Sequence, residues 1–205
     1  AIGDNDFITI IADSSDYDTL SDVVENAFDQ PFFTPQPETW FRSQRYGLAE
    51  LIGHKRDRNI LIIAPIDAEN RMGEYMRAAL DSSVKELVRS GEEHVFVQQD
   101  LWYRGQTVVH LTGKNMQDLR DFMAANAQQL EYYFKQAWDE RELTRLRKLP
   151  REDEIEQKLL DEHGFTFTLI KSWFIAKDSG EINTVLLRRQ APKETERWLM
   201  VHWLD

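Results

Sequence analysis

The chain has 205 residues, no cysteine, and 36 acidic side chains against 25 basic ones, a formal charge of −11. With 41% hydrophobic and 11% aromatic residues it is too apolar to be a disordered chain, and a chain of this size buries about 70% of its unfolded surface. The acidic balance excludes a general nucleic-acid binder, and the lack of cysteine excludes a disulfide framework and thiolate metal sites.

The charge is uneven. Nine carboxylates and no Lys or Arg precede Arg42, so the remaining 164 residues are nearly neutral. No stretch reaches the roughly 18 apolar residues of a membrane helix, and the start of the chain has no basic region followed by an apolar one.

Phe7 to Ala12 is a β-branched run that predicts a buried strand. Asp16, Asp18 and Thr19 then offer cap oxygens, and Leu20, Val23, Val24, Ala27 and Phe28 make one apolar helix face. Pro31, Pro35 and Pro37 predict a loop around Phe32 and Phe33. Trp40 to Tyr46 reads as a strand, and Leu48 to His54 as a short helical turn.

Asn59 to Ala64 is uninterrupted and apolar, the pattern of a strand buried on both faces. A helix from about Glu69 to Ser90 is predicted next, stopped by Gly91. The segments 94–99 and 106–112 read as strands joined by a connection containing Trp102, Tyr103 and Gly105. Asn115 with Asp118 resembles a capping box opening a helix to Lys148, about 50 Å long at 1.5 Å per residue. A sphere of this chain's expected gyration radius is only about 43 Å across, so that helix must overhang or bend. Its basic end, 141–151, precedes an acidic helix, 152–162, with Pro150 between them, a pattern for a hairpin with attracting flanks. The last third alternates: 165–169, 173–175, 182–189 and 198–204 are strand candidates.

The expected fold is α+β: one domain over 1–205 with a largely antiparallel mixed sheet, helices packed on one face, and a protruding long-helix hairpin at about 115–163. Residues 165–205 are its β-rich third. The chain stops one residue beyond a strand, at Asp205, which reads as a truncated end.

Three carboxylates are the first chemical candidates. Asp13, Asp16 and Asp18 follow a strand and precede a helix, a place where open sheets bind ligands. Read for catalysis, they would serve a hydrolase or metal-dependent enzyme working with a distant histidine. Read for structure, they cap a helix and complement its dipole, which is the favoured reading. The five histidines (54, 94, 110, 163 and 202) show no metal-ligand spacing, and His163 before Gly164 reads as a helix-end residue. No phosphate loop, nucleophile elbow or Cys/His pair occurs, so no catalytic residue, metal or cofactor is expected. The loop aromatics Trp102, Tyr103, Phe32 and Phe33 are the candidate binding residues, since rings on loops anchor partners.

Four short motifs occur in order: Arg58-Asn59-Ile60-Leu61-Ile62, Asp100-Leu101-Trp102 with Gln106 heading a strand, Glu162-His163-Gly164-Phe165, and Leu186-Leu187-Arg188-Arg189. From about Asp4 to its end the chain resembles a family of bacterial envelope proteins catalogued as a domain of unknown function and made with a lipoprotein signal. That resemblance implies an extracytoplasmic location, membrane tethering through a lipidated cysteine upstream of Ala1, and members that continue past Asp205. It carries over no activity. A non-enzymatic binding or assembly module for an envelope protein or ligand is the leading expectation. The alternatives are the enzyme above and a structural protein associating through the helical hairpin. Partner, ligand and oligomeric state are left open.

Overall fold

Phe7–Ile11 forms the first strand, β1, and Asp13 ends the turn after it by capping α1, Ser14–Phe28. The computed structural model describes residues 1–33, 35–190 and 195–204. The truncation expected at Asp205 falls outside them. Contacts divide the chain into two compact units, Ala1–Arg141 and Glu142–Asp205.

In the first unit the proline segment is not a loop. Pro31–Phe33 (β2) and Pro37–Thr39 (β3) pair as an antiparallel ribbon, an edge setting in which proline's missing N–H is tolerated. Arg42–Tyr46 is β4, and Leu51–His54 is α2, entered through a 3-10 turn. Asn59–Ile63 is β5, buried at all five positions. The helix expected over 69–90 is two: Arg71–Ala79 (α3) and Ser82–Ser90 (α4). The apolar period continues across the break, but Leu80 and Asp81 are extended, and Asp81-Ser82-Ser83 are residues that favour caps over helix interiors. Gly91 closes α4 at φ +81°, as expected.

The two expected strands, Val95–Gln99 (β6) and Thr107–Leu111 (β7), pair as an antiparallel hairpin. The long helix bends. Asn115 caps α5, Met116–Ala125, and α6, Ala127–Leu146, begins after Asn126, whose side chain donates to the carbonyl of Phe122 at 2.8 Å beside its own backbone N–H at 3.0 Å.

The main sheet has the order β4-β1-β5-β7-β6, with three parallel pairings and one antiparallel. Over all described strands four of seven pairings are antiparallel, so the α+β class with a largely antiparallel mixture holds. The layering differs from the expectation, because helices cover both faces of the main sheet. One face packs Ile8, Ile10, Leu61 and Leu111 against α1, α5 and α6; the other packs Ile60, Ile62 and Val108 against α2, α3 and α4. β5 and β7 are buried on both faces, and each face requires cover, since exposing one large aliphatic side chain costs about 1.5–3 kcal/mol.

The second unit holds α7, Asp153–His163, and the antiparallel sheet of β8 (Trp173–Ser179), β9 (Thr184–Arg189) and β10 (Arg197–His202), in the order β10-β9-β8. Leu159, Leu169, Val185 and Leu187 are its buried core. The strand expected at 165–169 is an extended loop. Its polar groups are met by α7 instead: Leu169 N–H donates to Glu156 Oε1 at 2.7 Å, and Thr166 Oγ1 to the Glu156 carbonyl at 3.0 Å. The alternation of 165–169 therefore records burial of Phe165, Phe167 and Leu169 rather than strand pairing. Arg151, just after Pro150, pairs with Glu156 and Asp153, ion pairs local to the start of α7 rather than between two helices.

Candidate functional site

Trp102 and Tyr103 lie on the β6–β7 loop, at the end of the sheet where β5 and β7 begin. The loop is built rather than slack. Asp100 takes φ +57°, and its carboxylate accepts from the N–H of Gly105 at 2.6 Å and of Gln106 at 3.3 Å. Gly105 supplies the positive φ, +77°, that this turn requires. Buried Gln106 then joins two loops. Its Nε2 donates to the carbonyls of Lys55 and Asp57 at 2.8 and 2.7 Å, and its Oε1 accepts from Trp102 N–H at 3.2 Å. Lys55 Nζ stands 5.2 Å from the centre of the Trp102 ring, and the Arg56 guanidinium 5.5 Å from that of Tyr103. Tyr103 is exposed, while Trp102 is half-buried against the core on that face.

Two guanidiniums reach the same end of the sheet. Arg141, on α6, donates to Asn5 Oδ1 at 3.1 Å, Asn59 Oδ1 at 2.7 Å and the Gly105 carbonyl at 3.4 Å. Arg58 donates to the same Asn5 oxygen at 3.0 Å. Among the described residues no carboxylate forms an ion pair with either. Burial, helped by the neighbouring Arg58 charge, lowers the Arg141 pKa to about 10. The nearby carboxylate Asp57 is occupied, accepting from Thr9 Oγ1 at 2.6 Å and bonded to His54 Nδ1 at 2.8 Å.

Phe32 and Phe33 belong to a separate feature of the same unit. Phe32 stacks on Trp40 with centroids 4.9 Å apart, and Lys135 Nζ sits 4.4 Å from the Trp40 ring centre. These side chains, with Asn26, Gln30 and Asn126, line a cleft of about 660 Å³. Phe33 is 82% exposed and outside that lining. Lys135, Trp138 and Arg141 follow one another at i, i+3 steps, so one side of α6 serves both aromatic groups over about 9 Å.

The three aspartates lie at the opposite end of β1, beyond its last residue, a position where open sheets bind ligands. Asp13 Oδ1 accepts from Ser15 N–H at 3.0 Å and Ser15 Oγ at 2.8 Å, bonds that hold its pKa down. Asp16 accepts from Asn70 Nδ2 at 3.0 Å, and Asn70 in turn caps α3 through Gly73 N–H at 2.9 Å. Asp18 is exposed. None of the five histidines bonds to them: His54, His94 and His163 are partnered by Asp57, Asp118 and Asp178, His202 by Thr184, and His110 is buried without a partner.

Glu162, His163 and Asp178, in the second unit, bring their donor atoms within 4.8 Å of one another. Histidine spacing alone gives no metal site, and the position of His163 at a helix end predicts contact with the last carbonyls. It bonds to Asp178 instead, at 2.9 Å. Lys55, Arg58, Arg141 and this triad carry no local sequence signal, because their partners are brought in by tertiary packing.

A family model described as Domain of unknown function (DUF8532) matches residues 1–147, which include the whole first unit. No curated protein and no solved structure matches the chain.

Proposed function

The chain belongs to the DUF8532 family, and on that premise we propose that it is a non-enzymatic binding or assembly module that captures an anionic partner through Trp102, Tyr103 and the adjoining arginines. The observation that carries this reading is the shared Asn5 contact of Arg58 and Arg141, two cations that form no ion pair among the described residues, at the sheet end whose loop bears two rings that each face a cation. In a chain of net charge −11, leaving these cations unpaired favours an incoming oxyanion, which guanidinium binds in bidentate fashion. The Gln106 contacts support the reading as well, because loops held in place lose little entropy on binding. Phe32, Trp40 and their cleft offer a second contact region along α6.

Replacing Trp102 and Tyr103 together by alanine is expected to leave the circular dichroism spectrum unchanged and to weaken capture of partners from envelope extracts. Retention of the parent chain on a phosphate-bearing resin should fall with added salt, and Arg58→Gln should lower it further. Capture and retention equal to the parent in these variants would remove the loop from the site.

The extracytoplasmic, lipid-anchored setting rests on the family resemblance alone. It predicts that the full-length gene product partitions with membranes and carries a diacylglycerol mass on an upstream cysteine. Recovery of an unmodified product in the soluble cytoplasmic fraction would overturn that part of the proposal.

A further inference from the structure

We propose that Glu162, His163 and Asp178 form a binding site for a divalent transition-metal ion of the Zn2+ or Mn2+ kind. Three features of the second unit point to it.

The first is convergence. Glu162 and His163 are adjacent on α7, and successive helical residues project about 100° apart and do not face one another. Here they close the last turn, before Gly164 reverses the chain at φ +74°, and their donor atoms meet Asp178 within a 4.8 Å circle. His163 Nε2 and Asp178 Oδ2 are 2.9 Å apart, near the separation of two adjacent ligands on one ion with bonds of about 2.1 Å.

The second is a β-bulge in β8. Ile175 pairs with Leu187, but the next partner, Leu186, is met by Lys177, so Ala176 is an extra residue. Cross-strand partners share a face, and Leu187 and Val185 are both buried in the core that includes Leu159 of α7. Regular alternation would turn Lys177 toward that face. The bulge places Asp178 there, opposite Val185. A position facing α7 thus passes from a cation to a carboxylate, at the expense of regular pairing.

The third is orientation. The His163 side chain is only 9% exposed, and its ring lies 5.8 Å from Phe165 and 5.2 Å from Trp203. An imidazole held in this way presents one nitrogen at a fixed angle, as a ligand must.

An ordinary ion pair would require only His163 and Asp178. Glu162 adds a second carboxylate to the cluster, and the cation that reaches it is Lys158 at 3.7 Å. With neutral imidazole, two carboxylates match one divalent ion. A mixed imidazole and carboxylate set suits Zn2+ or Mn2+ over the all-oxygen preference of Ca2+. Three protein donors leave positions for water, consistent with a Glu162 side chain that is half exposed. The imidazole nitrogen and both carboxylates bind a metal ion only in their unprotonated forms, so affinity falls in acid.

The test uses the whole chain, stripped of metal with a chelator that is then removed. Calorimetric titration with ZnCl2 and MnCl2 should give one equivalent, at least about tenfold tighter than CaCl2, and weaker at pH 5.5 than at pH 7.5. Glu162→Gln and Asp178→Asn should each weaken binding by about tenfold or more, while Asp153→Asn, on an exposed carboxylate at the other end of α7, should not. Absent binding, unchanged affinity in E162Q and D178N, or an equal loss in D153N would overturn the proposal. A variant that fails to fold does not remove the test. In the unmodified chain, substoichiometric Mn2+ should broaden the His163 ring proton resonances before those of the other four histidines, and uniform broadening would refute the site.

Discussion

Replacing His110 by leucine is expected to abolish an acid-dependent loss of stability of about 3 kcal/mol. His110 sits in the middle of β7, 1% exposed, with neither ring nitrogen hydrogen-bonded and Tyr75 stacked 6.3 Å away. Desolvation lowers its pKa from 6.5 to about 4. The folded state therefore prefers the neutral ring, and the unfolded chain takes up a proton first as pH falls. Stability is complete above pH 6.5 and declines between 6.5 and 4, by about 1.4 kcal/mol for each pH unit that separates the folded and unfolded pKa values. Urea denaturation at pH 7, 5.5 and 4.5 measures it. His110→Leu should flatten the profile over that interval and, by removing two unpartnered polar atoms, leave stability at pH 7 equal or slightly higher. An identical pH profile for the variant would refute the account. Carboxylates held below their usual range, such as Asp118 and Glu156, lose their contribution only at lower pH, so the two effects separate.

Gln106→Leu is the second large effect. It removes three hydrogen bonds at once and strands the carbonyls of Lys55 and Asp57 and the N–H of Trp102, a cost of about 3 kcal/mol if each stranded group costs about 1. Global stability should fall by that amount. Hydrogen exchange should also accelerate selectively in residues 55–58 and 100–106, because the amide is what joins those loops. Binding through Trp102 and Tyr103 should weaken even though neither ring is altered. Protection in both loops equal to the parent would show that Gln106 does not hold them.

Much of this architecture is written locally. The five buried residues of β5 declare an interior strand, the apolar face of α1 declares its packing side, and Gly91 and Gly164 mark helix ends that the structure places at φ +81° and +74°. The helix breaks at Asp81 and Asn126 are hidden because the apolar period runs through both. The first break is made by extended backbone at Leu80 and Asp81, and the second by Asn126, whose side chain bonds back to the Phe122 carbonyl. Parallel pairing of β1 with β4 and β5 is hidden for a different reason, since strand neighbours are chosen by crossover helices and not by the strands' own residues. The candidate site shows the same division. Trp102 and Tyr103 are visible as rings in a loop, but Arg58 and Arg141 meet only through Asn5, across 83 positions of sequence. Asp178 reaches His163 only because one residue of β8 is extra.

The two margins of the main sheet are unlike, and this limits how another chain can join it. At one margin β4 is polar throughout, and its Arg42 and Arg45 are anchored to Asp6 and to the Ala12 carbonyl. A foreign strand docking there would have to desolvate two fixed guanidiniums, so that margin is guarded against fibril-like growth. At the other, β6 is Val-Phe-Val-Gln-Gln, uncharged, with its outer backbone groups unpaired by any described strand. That margin runs directly into the turn bearing Trp102. A partner with an extended segment would find main-chain donors and acceptors next to the aromatic loop, so that backbone pairing and ring contacts would be made by one peptide.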